Sequence, residues 1–401
     1  MPTSETAETS HSAKALTLSA YASFLPIGIV TVLLGPMLPT LSTRWSLDYS
    51  QSGALFNAQY LASTCAVGIS GWMVSRWGYR FAMKAGLLLA AFGVGFLLSG
   101  SRVLGIACIA CYGAGLGLAV PAANLLVAEV NPGRRSSALN VLNFCWSVGA
   151  VSCPFLIAAA GRNQSLPLLL WLVAGFMLAV ALGIAFMPSW IVEPAAKNVI
   201  AGQKSAIKWR HAALPSLMVL FFVYVGTENG FGGWIASYSK SLQSMTPSVA
   251  VMTPSFFYAA IMFGRWLAPF FLRTLDDVRL AQIGLLITCS GMGGLMISRG
   301  LPAVVISAAI AGLGISSVYP ITIALLSREF GSDASRVGSV LFTLSNLGGG
   351  FLPWIVGVSA SRFGTLRAGL FVPLIGSITM LIFYFRDWKK EASPLTLSGT
   401  G

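Results

Sequence analysis

Twelve runs of mostly apolar residues follow one another along this chain of 401 residues. Each is close to the length of about 20 residues that a helix needs to cross a hydrocarbon layer of about 30 Å. They cover 16–41, 52–74, 81–100, 104–128, 138–160, 166–187, 214–238, 249–272, 280–298, 301–326, 337–360 and 366–385. No soluble core can hide that much apolar surface. The chain is 56% hydrophobic and 9% charged, with a mean hydropathy of +0.78, whereas a soluble domain carries about 25% charged residues. Strands of a membrane barrel would alternate apolar and polar side chains, but Leu168 to Val173 are apolar at successive positions. Helices satisfy every backbone group within the span, so the expected fold class is an all-α membrane protein with twelve transmembrane helices in two pseudo-symmetric six-helix bundles.

The division into halves comes from polarity. The longest polar stretch in the middle, 188–213, carries Lys197, Lys204, Lys208, Arg210 and His211 and separates six runs from six. The expected organisation is a tail (1–15) without fixed structure, a bundle (16–187), a cytoplasmic linker (188–213), a second bundle (214–386) and a tail (387–401). With the N-terminus inside, seventeen of the 25 Lys and Arg residues fall on the linker side. Positive loops stay in the cytoplasm, so both termini are expected there, in a cell (inner) membrane protein.

That topology accounts for the net charge of +13 without any contiguous basic groove, so nucleic acid is not an expected partner. Glu5 and Glu8, followed by a run long enough to span, argue against a cleavable signal peptide. The six cysteines all lie inside the runs, where they act as small packing residues, and no disulfide framework is expected. Cys108 and Cys111 form a C-x-x-C without further ligands, so no metal and no cofactor are expected. The only histidines, His11 and His211, sit in the tail and the linker, which argues against an enzyme. The expected partners are the lipid bilayer and a small-molecule substrate, with the chain acting as a monomer.

Two basic turns stand about half a chain apart. The first reads Gly71-Trp-Met-Val-Ser75-Arg76-Trp-Gly78-Tyr-Arg80; the second joins Gly264-Arg265 to Arg273-Thr-Leu-Asp276-Asp277-Val-Arg279. Equivalent features in two halves indicate an internal repeat, an architecture that places the substrate near the midplane between the halves. The first turn resembles the loop motif of the major facilitator superfamily, G-x-x-x-D-R-x-G-R, with Ser75 where the motif has Asp and Tyr79 inserted before Arg80. The resemblance implies the major facilitator fold and a cytoplasmic gate at Gly71, Arg76, Gly78 and Arg80. In the other half, Arg273 and Arg265 join the gate, with Arg265 expected to pair with Asp276 or Asp277. The missing carboxylate should weaken one exposed charge pair by roughly 1 kcal/mol.

Three further stretches narrow the resemblance. They are Gly312-Leu-Gly314-Ile-Ser316-Ser317-Val-Tyr319-Pro320-Ile-Thr322, the triple glycine Gly348 to Gly350 before Pro353, and Tyr224-Val-Gly226-Thr227-Glu228-Asn229-Gly230-Phe-Gly232-Gly233-Trp234. They resemble the fucose:proton symporter family, its bacterial glucose symporters and its animal sodium-dependent glucose relatives, which implies a sugar as substrate. Fucose symporters use an Asp in the first helix and a Glu in the fourth. This chain has no acid in 16–41 and reads Val120-Pro121-Ala122-Ala123-Asn124 in the fourth.

A charge inside a bilayer is costly enough that each one is a functional candidate. Of the twelve acids only Glu228 lies deep in a run. It is the expected coupling residue, by taking a proton or lending an oxygen to sodium; a helix-stabilising hydrogen bond is the plainer alternative. The glycines around it permit close helix approach or local unwinding. A sugar needs amides, hydroxyls and an aromatic face. The candidates are Asn57, Gln59, Asn124, Asn143, Trp146, Asn229, Trp234, Tyr319 and Asn346. Gln59 falls where bacterial glucose symporters carry a glutamine, and Trp146 near where fucose symporters place a sugar-binding amide. Each amide could instead be interhelical glue, worth about 0.6 kcal/mol, and Trp234 a lipid-interface anchor. The competing functions are a multidrug or metabolite exporter of the same superfamily and an uncoupled facilitator.

Overall fold

A computed structural model describes residues 4–188 and 211–388, and the central part of the expected linker and most of the C-terminal tail lie outside it. Twelve spanning helices appear in the expected order. α1 comprises Ser4–Val32 and Leu34–Arg44; α2 is Tyr49–Trp77, α3 Tyr79–Gly95, α4 Arg102–Val130, α5 Arg135–Arg162 and α6 Leu166–Ala185. α7 comprises Leu214–Gly232 and Ile235–Ser241, and α8 Pro247–Met252 and Pro254–Phe271. α9 is Asp277–Ile297, α10 comprises Leu301–Ile315 and Val318–Phe330, α11 is Ala334–Phe363 and α12 Leu366–Asp387. The first helix begins at Ser4, so residues 4–15, expected as a tail without fixed structure, are helical.

Ten of these spans are both long and apolar enough to cross a membrane on those two criteria alone. The other two are α2 and α3. α2 is 29 residues long but carries Gln51, Asn57, Gln59, Ser63 and Thr64; α3 is apolar but only 17 residues long. Both are packed against α4, so their deficit in length or apolarity is made up inside the bundle.

The repeat is legible in the packing. In the first half α1 meets α5 through Gly28 and Gly149, where a Cβ would overlap the carbonyls of Trp146 and Leu25; α4 meets α2 through Gly113 against the Gln59 carbonyl. In the second half α11 meets α7 through Gly348 against the Phe222 carbonyl, and α10 meets α8 through Gly312 against the Phe257 carbonyl. Small residues let helix backbones approach, which is what drives association where lipid removes any hydrophobic gain. A 3-10 turn precedes the fifth helix of each half, at Pro132–Arg134 and Gly331–Asp333.

Four spans are broken, and proline explains three of the breaks. A proline has no N–H to give to the carbonyl four residues back and its ring crowds that carbonyl. Pro36, Pro254 and Pro320 stand just beyond the breaks at Leu33, Thr253 and Ser316–Ser317. The fourth break, at Gly233–Trp234, has no proline. There the Trp234 N–H turns back to the Phe231 carbonyl at 3.1 Å.

The ends of the helices define the two faces. The Ser216 hydroxyl donates to Asp387, joining the start of α7 to the end of α12 at the linker end. At the far end the halves touch: the Ser50 N–H donates to the Ser361 hydroxyl at 2.9 Å and Lys240 Nζ to the Thr43 hydroxyl at 3.3 Å, while Tyr49 and Trp234 meet edge to face at 6.3 Å. Gly35 of α1 faces Gly233 of α7 so closely that a Cβ would stand 2.9 Å from the opposing Cα. α4 and α10, whose C-terminal segments reach the linker end, share no extensive contact among the described residues.

Arg80 closes the linker end of the first half. Its guanidinium donates to the Ile184 and Met187 carbonyls, both at 3.0 Å, satisfying acceptors that the last turn of α6 leaves open. Gly78, between α2 and α3, has φ +85°, a conformation that favours glycine. Arg80→Ala is expected to cost about 1.5–3 kcal/mol, the range for hydrogen bonds to a charged group, read as a lower melting temperature of the purified protein in detergent. An unchanged melting curve would show that Arg80 does not hold α3 to α6.

Candidate functional site

Glu228 sits mid-span on α7, half-buried, one turn beyond Tyr224. The Tyr224 hydroxyl is fully buried and flanked by Glu228 and by Arg265 of α8, and among the described residues no partner meets it in full hydrogen-bond geometry. Among the described residues Nε of Arg265 and the Ser345 hydroxyl of α11, which neighbours Tyr319, are also buried without a partner in full hydrogen-bond geometry, as is the Thr227 hydroxyl, which instead faces Gly376 of α12. Tyr319 of α10 stacks on Tyr224 at 4.8 Å and 24°, bringing a second phenol to the group. Native interiors rarely leave buried polar atoms unpaired, since each costs about 1–3 kcal/mol. The Tyr224 and Arg265 atoms flank the Glu228 carboxylate and Ser345 neighbours Tyr319, which marks a place suited to receive hydroxyls or water.

The opposite half supplies the other wall. The Arg265 guanidinium lies 5.8 Å from the ring centre of Trp146 on α5, a cation–π contact across the two bundles. Trp146 Nε1 donates to the Thr31 hydroxyl at 3.3 Å, and Gln59 Nε2 donates to the Thr31 carbonyl at 3.2 Å. The Tyr112 hydroxyl donates to Gln59 Oε1 at 3.2 Å. The Tyr60 hydroxyl of α2 crosses to Asn229 Oδ1 of α7 at 2.7 Å, and Asn229 Nδ2 donates to the Val225 carbonyl at 2.8 Å. Both halves therefore contribute to one polar zone at mid-height.

The sequence candidates divide within this zone. Trp146, Asn229 and Tyr319 are half-buried and reach across or beside the Glu228 group. Asn57 and Asn346 are half-buried on α2 and α11, the helices that pack together across the halves; Asn57 Oδ1 lies against Gly350. Asn124 and Asn143 spend their amide donors on the Val120 and Leu139 carbonyls of their own helices, and Asn143 is exposed. Gln59, 2% exposed, has both ends of its amide engaged within the first half. Trp234, expected as a substrate contact or interface anchor, is instead buried at the far end, its Nε1 donating to the Pro353 carbonyl at 3.0 Å.

Arg265 is placed differently from the expectation. It does not pair with Asp276 or Asp277: Asp276 caps α9, accepts from the Arg279 N–H at 2.7 Å and forms an ion pair with Arg279 at 3.2 Å. Arg265 lies almost two turns of helix inward from the end of α8 at Phe271, beside Trp146. Arg273 lies over the Phe270 ring at 5.4 Å. Gly71 and Arg76 are exposed on α2. The residues that composition alone did not single out are Tyr60, Tyr224, Thr31, Tyr112 and Ser345. Tyr224, at i−4 from Glu228, was the one with a positional signal.

Residues 20–299 match the Major Facilitator Superfamily. The sodium-dependent glucose transporter 1A of Mus musculus is 22% identical over 94% of this chain and 96% of its own length. A glucose/galactose transporter of Brucella abortus is 26% identical over 88% of this chain and 89% of its own. The solved structure of a nucleoside transporter shares the fold with a TM-score of 0.75 and 14% identity, covering 93% of this chain and 98% of that one.

Proposed function

The chain belongs to the Major Facilitator Superfamily, and from that membership we propose that it carries a hexose or a closely related sugar across the cell membrane by alternating access. The observation that carries the reading is the group of buried polar atoms of Tyr224, Arg265 and Ser345 beside Glu228 and Tyr319, faced across the bundles by the Trp146 ring. A sugar matches it: hydroxyls that both donate and accept, and an apolar C–H face for an aromatic ring. The names of the mouse and Brucella relatives point to the same substrate class.

Glu228 is the coupling residue in this reading, with a proton or sodium as its cation. Asn57, Asn229, Tyr319 and Asn346 complete the sugar site with Trp146, and Gln59 supports it from behind. Orientation by positive loops puts the linker end in the cytoplasm, so the contact of Gly35 with Gly233 closes the outer side and the described conformation faces inward.

Hexoses are expected to raise the melting temperature of the purified protein in proportion to the logarithm of their concentration, because a ligand that binds only the folded state stabilises it by linkage. The test is a thermal-shift series with hexoses, nucleosides, amino acids and lipophilic cations, with and without sodium. Stabilisation by lipophilic cations alone would replace the sugar reading with the exporter, and stabilisation by nucleosides alone would replace it with a nucleoside carrier.

A further inference from the structure

The turn between α2 and α3 is unusual in its charge. From Gly71 to Lys84 the sequence holds Arg76, Arg80 and Lys84 and no acid. Ser75 stands where a carboxylate would have balanced them, and its hydroxyl is spent locally on the Trp72 carbonyl at 2.8 Å. Arg80 is committed to the end of α6. Arg76 is exposed and forms no ion pair or hydrogen bond among the described residues. Beside it stand three exposed aromatic side chains in a continuous row. Trp72 meets Trp77 edge to face at 4.8 Å, and Trp77 meets Phe81 at 4.8 Å. They are 55%, 49% and 40% exposed.

In water such a row would be an aggregation hazard, but at the end of a membrane span it has a natural place. Tryptophans sit at the headgroup level with one face in hydrocarbon, and a basic residue at that depth attracts anionic lipid. The second half provides an internal comparison. The turn after α8 has its own aromatic row, Phe263, Trp266 and Phe270, with Arg273 over Phe270. There, however, Asp276 and Asp277 follow within four residues, so the turn holds two acids for the two basic residues Arg273 and Arg279.

We propose that the α2–α3 turn is a binding site for the headgroup of an anionic phospholipid, with Arg76 contacting the phosphate and the Trp72, Trp77 and Phe81 row lying along the upper acyl chains. The site is on the first half only. The lipid supplies from outside the negative charge that Ser75 fails to supply from within, and it does so on the helix that packs against α11 of the other half.

The test is native mass spectrometry of the purified full chain released from nanodiscs containing phosphatidylglycerol and phosphatidylcholine in equal parts. The wild type is expected to retain phosphatidylglycerol preferentially. Arg76→Gln is expected to lower its affinity about fivefold, the factor equivalent to about 1 kcal/mol per basic residue near an anionic surface; Arg273→Gln is expected to leave it unchanged. Replacing Trp72 and Trp77 by Leu should weaken retention of both lipids, and inorganic phosphate should not displace the bound lipid. A melting curve of each variant checks the fold, and Arg76→Lys, which keeps the charge, should retain the preference. Equal retention of the two lipids by the wild type, or the same loss in Arg76→Gln and Arg273→Gln, would overturn the proposal.

Discussion

Glu228→Gln is expected to abolish cation-driven accumulation of sugar in proteoliposomes while leaving sugar exchange across the membrane measurable. The substitution keeps the shape and the hydrogen-bonding reach of the side chain and removes only its ability to carry charge. One elementary charge moving through 100 mV is worth about 2.3 kcal/mol, enough to hold a sugar gradient of about fifty-fold. Without a coupled charge the gradient collapses to about one. Exchange survives because it needs the sugar site to face each side in turn, loaded, and needs no net movement of a cation. The surroundings support this separation of roles: Tyr224, Arg265 and Ser345 keep their buried polar atoms in the variant and can still meet the sugar. Two controls sharpen the result. Running the gradient with protons alone and then with sodium alone identifies the coupling ion, and accumulation that is undiminished in the variant under both would remove Glu228 from the coupling step.

The architecture was readable from sequence because the bilayer imposes it: a run of suitable length has to be a helix, and the polar stretch has to lie outside. Three of the four helix breaks were also within reach, since Pro36, Pro254 and Pro320 each deny a hydrogen bond to the turn before them. The break at Gly233–Trp234 was not. It depends on Gly35 and Phe56 of the other half filling the space beside Gly233, a contact between residues about two hundred positions apart. The site was harder still. Residue type alone picked out Trp146, Asn229, Tyr319 and Glu228, which gather at mid-height, but it treated Gln59 and Trp234 as equal to them. Those two turn into their own bundles. In a helix that is apolar nearly all round, the direction of one polar side chain is set by the neighbouring helices and leaves no period in the sequence. Arg265 was misplaced for a related reason: proximity in sequence to Asp276 and Asp277 suggested a pair, while α8 carries the guanidinium almost two turns in from its end, towards Trp146.

The contact between Gly35 and Gly233 leads to the second large effect. It differs in kind from the glycine contacts inside each half. Gly348 lies against the Phe222 carbonyl in every state, because α7 and α11 belong to one bundle, so a larger residue there attacks the fold. Gly35 and Gly233 belong to different bundles, and alternating access requires them to separate and meet in each cycle. A side chain at Gly35 would be built 2.9 Å from the Gly233 Cα and 3.2 Å from its carbonyl, so Gly35→Leu penalises only the state in which the far end is closed. An overpacked contact costs about 1–3 kcal/mol, which shifts the balance between the two facing states by about fivefold to somewhat over a hundredfold. Turnover should fall by a comparable factor. Sugar binding should persist, with the protein now reachable from the far side: a cysteine placed at Ser237, in the small polar cavity between the tips of α1 and α7, should become more reactive to an impermeant maleimide. A melting temperature within a few degrees of wild type would separate this outcome from damage to the fold. If Gly35→Leu transports at the wild-type rate, the halves do not need that backbone contact to close, and the far-end seal must rest on Tyr49, Trp234 and the Lys240 bond to Thr43.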